Sequence, residues 1–148
     1  MLVRRSRAAG LPAGLPDVHG LAVRVPVPGG RHGDLLLATT GLGLFTRFVL
    51  APVRDPSSRP MTTLLPYRTP TGPRLVGLRP AAERAYEIAH APLRGSWQVF
   101  GELVLSTARG PDPLLSFDAV ANPLPGLENY EWVRRLRQPA YATARRSR

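Results

Sequence analysis

Hydrophobic and polar residues alternate most clearly in residues 21–27, where every second position carries a large aliphatic side chain. This is the period of a strand with one buried face. Residues 34–40 (DLLLATT) form a compact apolar run that is typical of a buried strand. Glycines crowd the intervening residues 29–33, and glycine supplies the positive φ that tight turns require. We therefore predict an antiparallel hairpin of residues 21–27 and 34–40.

Four later segments also read as strands. Residues 61–68 and 74–79 look like a second pair joined by the turn-forming sequence PTGP at residues 70–73. Residues 83–90 alternate, and the side chains expected on one side are Tyr86, Ile88 and His90. Residues 97–105 (WQVFGELVL) form the longest strand candidate, and the side chains expected inward are Trp97, Val99, Leu103 and Leu105. Gly101 marks a bend or a bulge in that strand.

Helices have little room, because 17 Pro and 14 Gly recur every few residues. Two segments remain possible helices, residues 42–50 and residues 130–138, and residues 106–129 look irregular. We predict a mainly β protein: an antiparallel β-barrel or strongly curved sheet with one or two short helices and an irregular C-terminal segment. A chain of 148 residues is predicted to form a single domain, residues 1–148.

The composition excludes several kinds of chemistry. The chain has no Cys, which excludes disulfide frameworks, thiolate catalysis, zinc ribbons and iron–sulfur clusters. It contains no phosphate-binding glycine motif and no nucleophile elbow. Asp17 and His19 are two residues apart and are able to share a metal on one face of a strand. The more ordinary interpretation is that Asp17 begins a turn and His19 enters a strand.

All 20 basic residues are Arg, and the net charge is +10. The arginines are scattered, so we interpret most of them as solvated surface charge. A basic barrel that binds nucleic acid is an alternative, but only residues 67–68 and 130–134 offer the aromatic interleaving that base stacking needs. No apolar run approaches the length of a membrane span or a signal peptide. We expect a cytoplasmic protein with no membrane partner.

Short segments at both ends of the chain follow a recognisable order. Residues 2–4 (LVR), 17–25 (DVHGLAVRV) and 34–36 (DLL) are followed far downstream by 101–105 (GELVL). Residues 117–118 (FD), 125–128 (PGLE) and 137–141 (RQPAY) come after them. In this order they resemble the haem-dependent catalase family, whose haem-ligand motif is Arg-x-x-x-Tyr.

This resemblance implies a haem cofactor with Tyr141 as the axial ligand to the iron and Arg137 beside it. Arg4 and Arg145 are the implied partners of the haem propionates. A guanidinium one helical turn from a tyrosine favours the tyrosinate and lowers its pKa from about 10. Pro139 lies between the two residues and removes a helix donor. The alternative is that the Tyr141 ring packs on the barrel while Arg137 lies at the surface.

Other parts of the family pattern are missing. No residue takes the place of the family's distal histidine, and Ala38 or Thr39 stands where it has a distal asparagine. We therefore expect a weak peroxidase or a non-catalytic haem protein rather than a full catalase. The segment 2–7 is expected to form a strand beside residues 21–27, with an open barrel edge that favours a homo-oligomer.

A second resemblance leads to a different function. Segments GLP, DVHGLAVR, DLLL and LLPYR are similar to those of short bacterial proteins, some described as phosphodiesterases. A hydrolase of phosphoesters is therefore the alternative function.

Overall fold

The alternating residues fold into the predicted hairpin. Strand β2 (His19–Val27) pairs with β3 (Arg31–Thr39), and Leu21 lies opposite Leu37. The connection, residues 28–30, is shorter than the predicted turn, and Gly29 and Gly30 adopt φ of 85° and 71°. The β-branched and aliphatic residues that face inward bring the hairpin against the core.

The structure, a computed structural model, describes residues 1–110 and 115–146, without the side chains of residues 138 and 140–146. The remaining elements are β1 (Leu2–Arg7), β4 (Met61–Thr62), β5 (Tyr67–Thr69), β6 (Gly72–Ala82), β7 (Ala85–Pro92), β8 (Gln98–Val104), β9 (Glu128–Asn129) and α1 (Glu131–Arg146). All strand pairs are antiparallel. The mainly β prediction is therefore confirmed.

The strands form one curled sheet that stays open, a half-barrel. Its main path runs β1-β2-β3-β4-β6-β7-β8. Strand β5 pairs with the start of β6, on the same side of β6 as β4, and β9 pairs with β5. Within the described residues, β1 pairs only with β2 and β8 pairs only with β7, so these two strands are edges of the sheet, as is the two-residue β9. The expected position of residues 2–7 as an edge strand beside β2 is confirmed.

The concave side of the sheet holds one hydrophobic core. Its fully buried members are Leu21, Val23, Leu35, Leu37, Met61, Tyr67, Val76, Leu78, Tyr86 and Leu103. Each such side chain contributes about 1.5–3 kcal/mol by leaving water. Strands that are individually short are therefore held by a shared core rather than by local propensity.

A bulge in β8 overturns part of the predicted alternation. Ile88 lies opposite Gly101, whereas Ala89 lies opposite Val99, so Phe100 is an extra residue. The bulge falls next to Gly101, as predicted, and reverses the sides that the preceding residues face. Val99 was expected inward but is 48% exposed. Trp97 lies just before the strand rather than within it.

Residues 42–50 do not form the predicted helix, apart from a short 3-10 turn at Thr46–Phe48. The cause is Arg47, which is 4% exposed and turns its guanidinium into the protein. Burial lowers the pKa of Arg47. Its four hydrogen bonds go to the carbonyls of Gly43, Pro92, Leu42 and Gly95. These contacts of the buried guanidinium hold residues 42–50 in a compact loop.

A buried ion pair fastens the irregular C-terminal segment to the hairpin. The Asp34 carboxylate accepts Nε and Nη2 of Arg24 at 2.7 and 2.8 Å. It also accepts the Asp118 amide at 2.9 Å and the Asn122 side-chain amide at 3.2 Å. Arg24 donates further to the Ser116 carbonyl at 2.8 Å. Burial alone raises the pKa of Asp34, but these hydrogen bonds outweigh it and the net pKa is lowered.

The predicted C-terminal helix is present and longer than expected. Helix α1 begins at Glu131, whose charge suits the helix N-terminus, and a 3.2 Å ion pair joins Glu131 to Arg135. Val133 is buried and attaches the first turns to the sheet. The helix continues through Pro139.

Replacing the buried carboxylate should destabilise the fold far more than replacing an exposed one. We expect Asp34→Asn to lower the free energy of unfolding by about 3–5 kcal/mol, because Arg24, whose side chain is only 15% exposed, loses its counter-charge. The matched control is Glu128→Gln, which breaks an exposed ion pair of 2.9 Å with Arg68 and should cost about 0–1 kcal/mol. Urea unfolding of the three proteins measures both changes.

The same pair predicts a pH dependence. The folded pKa of Asp34 lies below its unfolded value of about 4, so its contribution is complete above that value. It is lost as the pH falls through the folded pKa. The free energy of unfolding of wild type should therefore fall more steeply in acid than that of Asp34→Asn. Curves of unfolding free energy against pH that run parallel below pH ~4 would contradict the role given to this carboxylate.

Candidate functional site

The curl of the sheet encloses a cavity of about 590 Å³, here called the half-barrel cavity. Its buried floor consists of aliphatic side chains from four strands, namely Val23, Leu35, Leu37, Val76, Leu78 and Leu103. Such a volume falls within the usual range of small-molecule sites. The floor offers no polar partner, so a bound molecule must present an apolar body to it.

Polar side chains lie around this apolar floor. Thr69 and Thr71 come from the β5–β6 turn, and Arg74 and His90 come from β6 and β7. The Phe100 ring, which the β8 bulge brings to the cavity, lies 5.6 Å from the His90 ring. The Nδ1 atom of His90 is buried and has no hydrogen-bond partner among the described residues. An unpaired buried nitrogen costs about 1–3 kcal/mol of stability.

One wall of the cavity comes from the irregular C-terminal segment. Leu124, Pro125 and Leu127 line it, shortly after the residues that Asp34 holds. Gly33 permits this contact, because a Cβ there would lie 2.5 Å from Leu124 Cδ2 and 3.1 Å from Leu124 Cα. The Asp34 ion pair and the small residue beside it therefore position the wall.

Arg137, the predicted partner of Tyr141, faces the sheet. Its Nη2 donates to the Thr63 carbonyl at 2.9 Å, while its Nη1 is buried without a partner among the described residues. Burial raises the pKa of Tyr67, and the Arg137 guanidinium beside it partly offsets that rise. The alternative that placed Arg137 at the surface is wrong, since its side chain attaches α1 to the sheet.

The other predicted haem residues are not brought together by the described contacts. The side chains of Tyr141 and Arg145 lie outside the described residues, although both positions belong to α1. Arg4 is on β1 and lines a different depression, which we call the β1–β8 groove. This groove of about 610 Å³ separates the two sheet edges and also contains Arg5, Arg84 and Arg109.

The sequence pattern found one member of the cavity and missed another. The alternation of residues 83–90 placed His90 on the side of Tyr86 and Ile88, and this is confirmed. Arg74 was not recognised. The sequence does contain an indication of it, because residues 74, 76 and 78 are alternate positions of one strand and therefore lie on the same face.

Asp17 and His19, the possible metal ligands, contact backbone groups of the protein instead. The Asp17 carboxylate accepts the amides of Ala9 and Leu11 at 3.0 and 3.2 Å, and the first of these contributes most to its lowered pKa. His19 Nε2 lies 3.2 Å from the Val53 carbonyl. Across residues 1–110 and 115–146, as far as side chains are described, no three His, Asp or Glu side chains group as a metal site. The phosphodiesterase alternative thus gains no support there.

The chain matches no family model, no curated protein and no solved structure. The catalase resemblance therefore stays a prediction from the quoted segments. In the part of the chain that the structure describes, no helix is long and apolar enough to cross a membrane.

The contact of Arg137 with the sheet yields a titration test. In Arg137→Ala the pKa of Tyr67 should rise further, because the guanidinium that lowers it is gone. Stability should fall by about 1–3 kcal/mol, since a carbonyl is left without its donor. Alkaline titration of tyrosinate absorbance, with Tyr67→Phe to assign the signal, measures the first effect. Arg134→Ala, an exposed arginine on the same helix, is the control. Equal titration curves for wild type and Arg137→Ala would disprove the contact.

Proposed function

We propose that this protein binds haem in the half-barrel cavity. The observation that carries the proposal is the His90 imidazole on the lining of a cavity whose floor is apolar. Imidazole nitrogen is a common ligand of haem iron, and apolar walls suit a porphyrin face.

The residues around the cavity fit an apolar molecule that carries an anionic group. The aliphatic floor suits the macrocycle, and Phe100 offers an aromatic edge beside His90. Arg74 supplies a guanidinium for a carboxylate, the kind of pair that forms strong charge-assisted hydrogen bonds. A neutral, purely polar ligand would leave the floor unsolvated and is disfavoured.

Two axial ligands compete within this proposal. His90 is supported by the described cavity, whereas Tyr141, with Arg137, Arg4 and Arg145 around the cofactor, follows from the catalase resemblance. Arg137 Nη2 is already engaged by Thr63, which weakens its use as the tyrosinate partner. We therefore propose His90 as the ligand and keep Tyr141 as the alternative.

The chain's own residues would bind and orient the cofactor. Bound haem would supply an iron centre able to react with peroxide, and weak peroxidase activity stays a prediction. As a ligand, His90 would offer the lone pair of an imidazole nitrogen to the iron. The cytoplasmic location also stays a prediction of the sequence.

We also propose that copies of the protein associate through the sheet edges. Strands β1 and β8 are edge strands of the sheet, and an edge strand is a template for pairing with another strand. Sedimentation equilibrium should show a concentration-dependent oligomer, and a monomer at all concentrations would contradict this part of the proposal.

Titration with ferric haem tests the main proposal and identifies the ligand. Wild-type protein should develop a Soret band at a one-to-one ratio. His90→Ala should abolish or strongly shift that band, because the iron loses its nitrogen ligand. His32→Ala is the matched control, since His32 is exposed on β3 and should leave the spectrum unchanged.

The remaining outcomes distinguish the alternatives. A spectrum that survives in His90→Ala and is lost in Tyr141→Phe assigns the ligand to Tyr141 and overturns the role of His90. No Soret band with any form of the protein overturns haem binding altogether.

A further inference from the structure

An exposed apolar surface lies on the turn between β3 and β4, far in sequence from the residues proposed for haem. The exposed side chains are Leu44, Phe45, Phe48, Val49 and Leu50, and we call them the 44–50 turn surface. Phe45 is 78% exposed, the most of any large apolar side chain among the described residues. Five such residues within seven positions form a concentration that single exposed residues elsewhere do not approach.

The turn is held firmly, so its exposure does not result from loose structure. Arg47 lies in the middle of it and reaches four carbonyls on two loops. The Arg47 guanidinium lies 5.1 Å from the centre of the Trp97 ring, and Trp97 Nε1 donates to the Leu42 carbonyl at 2.9 Å. A buried cation that fixes a turn in this way keeps the apolar residues on both sides of it exposed.

A second loop lies against the turn. Arg47 holds the carbonyls of Pro92 and Gly95, so the exposed Leu93 and Arg94 lie on a loop that contacts the turn. Arg54 follows the turn and is also exposed. Residues 40–54 and 91–97 contain no Asp or Glu, while the whole chain carries a net charge of +10.

From the apolar turn and its flanking arginines we infer that the 44–50 turn surface inserts into the interface of a lipid bilayer that contains anionic lipids. Apolar side chains that enter the headgroup region and cations that remain outside it are the two signals that interfacial binding combines. The charge has the sign that an anionic surface requires.

The size of the surface favours lipid over a second copy of the chain. At about 150–250 Å² for an aromatic side chain, and less for an aliphatic one, the exposed part is roughly 500 Å². A stable protein interface buries about 800 Å² on each partner, so this surface alone is too small for one. An interfacial contact needs no spanning segment, and the inference therefore departs from the sequence expectation that the protein has no membrane partner.

Co-sedimentation with vesicles tests the inference. Wild-type protein should sediment with vesicles of phosphatidylcholine mixed with phosphatidylglycerol, and much less with phosphatidylcholine alone. Phe45→Ser should lower the partition coefficient roughly tenfold, because it removes the most exposed apolar side chain. Leu136→Ser is the matched control, since Leu136 is 63% exposed on α1 and should not affect binding.

A second pair of substitutions separates the two signals. Arg54→Gln and Arg94→Gln should each weaken binding to the anionic vesicles about fivefold and leave the weak binding to phosphatidylcholine unchanged. Circular dichroism confirms that each variant is folded, and neither residue contacts the half-barrel cavity.

Three results would overturn the inference. The first is binding of Phe45→Ser as tight as that of wild type, which assigns the attraction to net charge alone. The second is no binding of wild type to the vesicles. The third is a wild-type oligomer that Phe45→Ser dissociates, which makes the turn an interface between copies of the chain. Haem uptake is measured separately, so none of these results is confused with a failure of the proposed function.

Discussion

The buried carboxylate of Asp34 receives four hydrogen bonds from groups that lie far apart along the chain, and the position of the irregular segment 116–127 depends on it. Two bonds come from Arg24 on the neighbouring strand. The other two come from Asp118 and Asn122 in a segment with almost no regular structure. A carboxylate that is 1% exposed must be fully paired, because burying an unpaired charge is strongly unfavourable. Donors from residues 118 and 122 therefore have to pack against the hairpin to complete the hydrogen bonds of Asp34.

Arg47 also holds an irregular segment in place, but it binds backbone carbonyls and no carboxylate. Arg47 uses carbonyl oxygens of two loops and the face of Trp97, where Arg24 uses a carboxylate and the ring of Phe117 at 4.9 Å. Both tasks need several donors in a rigid plane, which guanidinium provides and an ammonium group does not. Arginine rather than lysine therefore matters for the fold at positions 24 and 47. In both cases an irregular segment is fixed by one side chain rather than by backbone ladders.

The strands were predictable because their signal is local. Alternation in residues 21–27, glycines in the turn and the parity of His90 each depend on a few neighbouring residues. The loop at residues 42–50 was not predictable in this way, since its apolar spacing resembles a helix and only the three-dimensional partners of Arg47 exclude one. Val99 was misassigned because one extra residue in β8 reverses the sides of the strand. Arg74 was missed because a charged residue with inward parity is more often found at a surface.

The half-barrel cavity connects these structural features to the proposed haem site. Its floor follows from strand alternation, but its wall at Leu124 and Leu127 exists only if the segment before it is held by Asp34. Hydrogen–deuterium exchange on Asp34→Asn and wild type measures that dependence directly. The amides of residues 116–127 should lose protection in the variant, while those of β6 and β7 keep theirs. Unchanged protection of residues 116–127 in a folded Asp34→Asn protein would show that the segment is held by other contacts and that the ion pair does not position the wall.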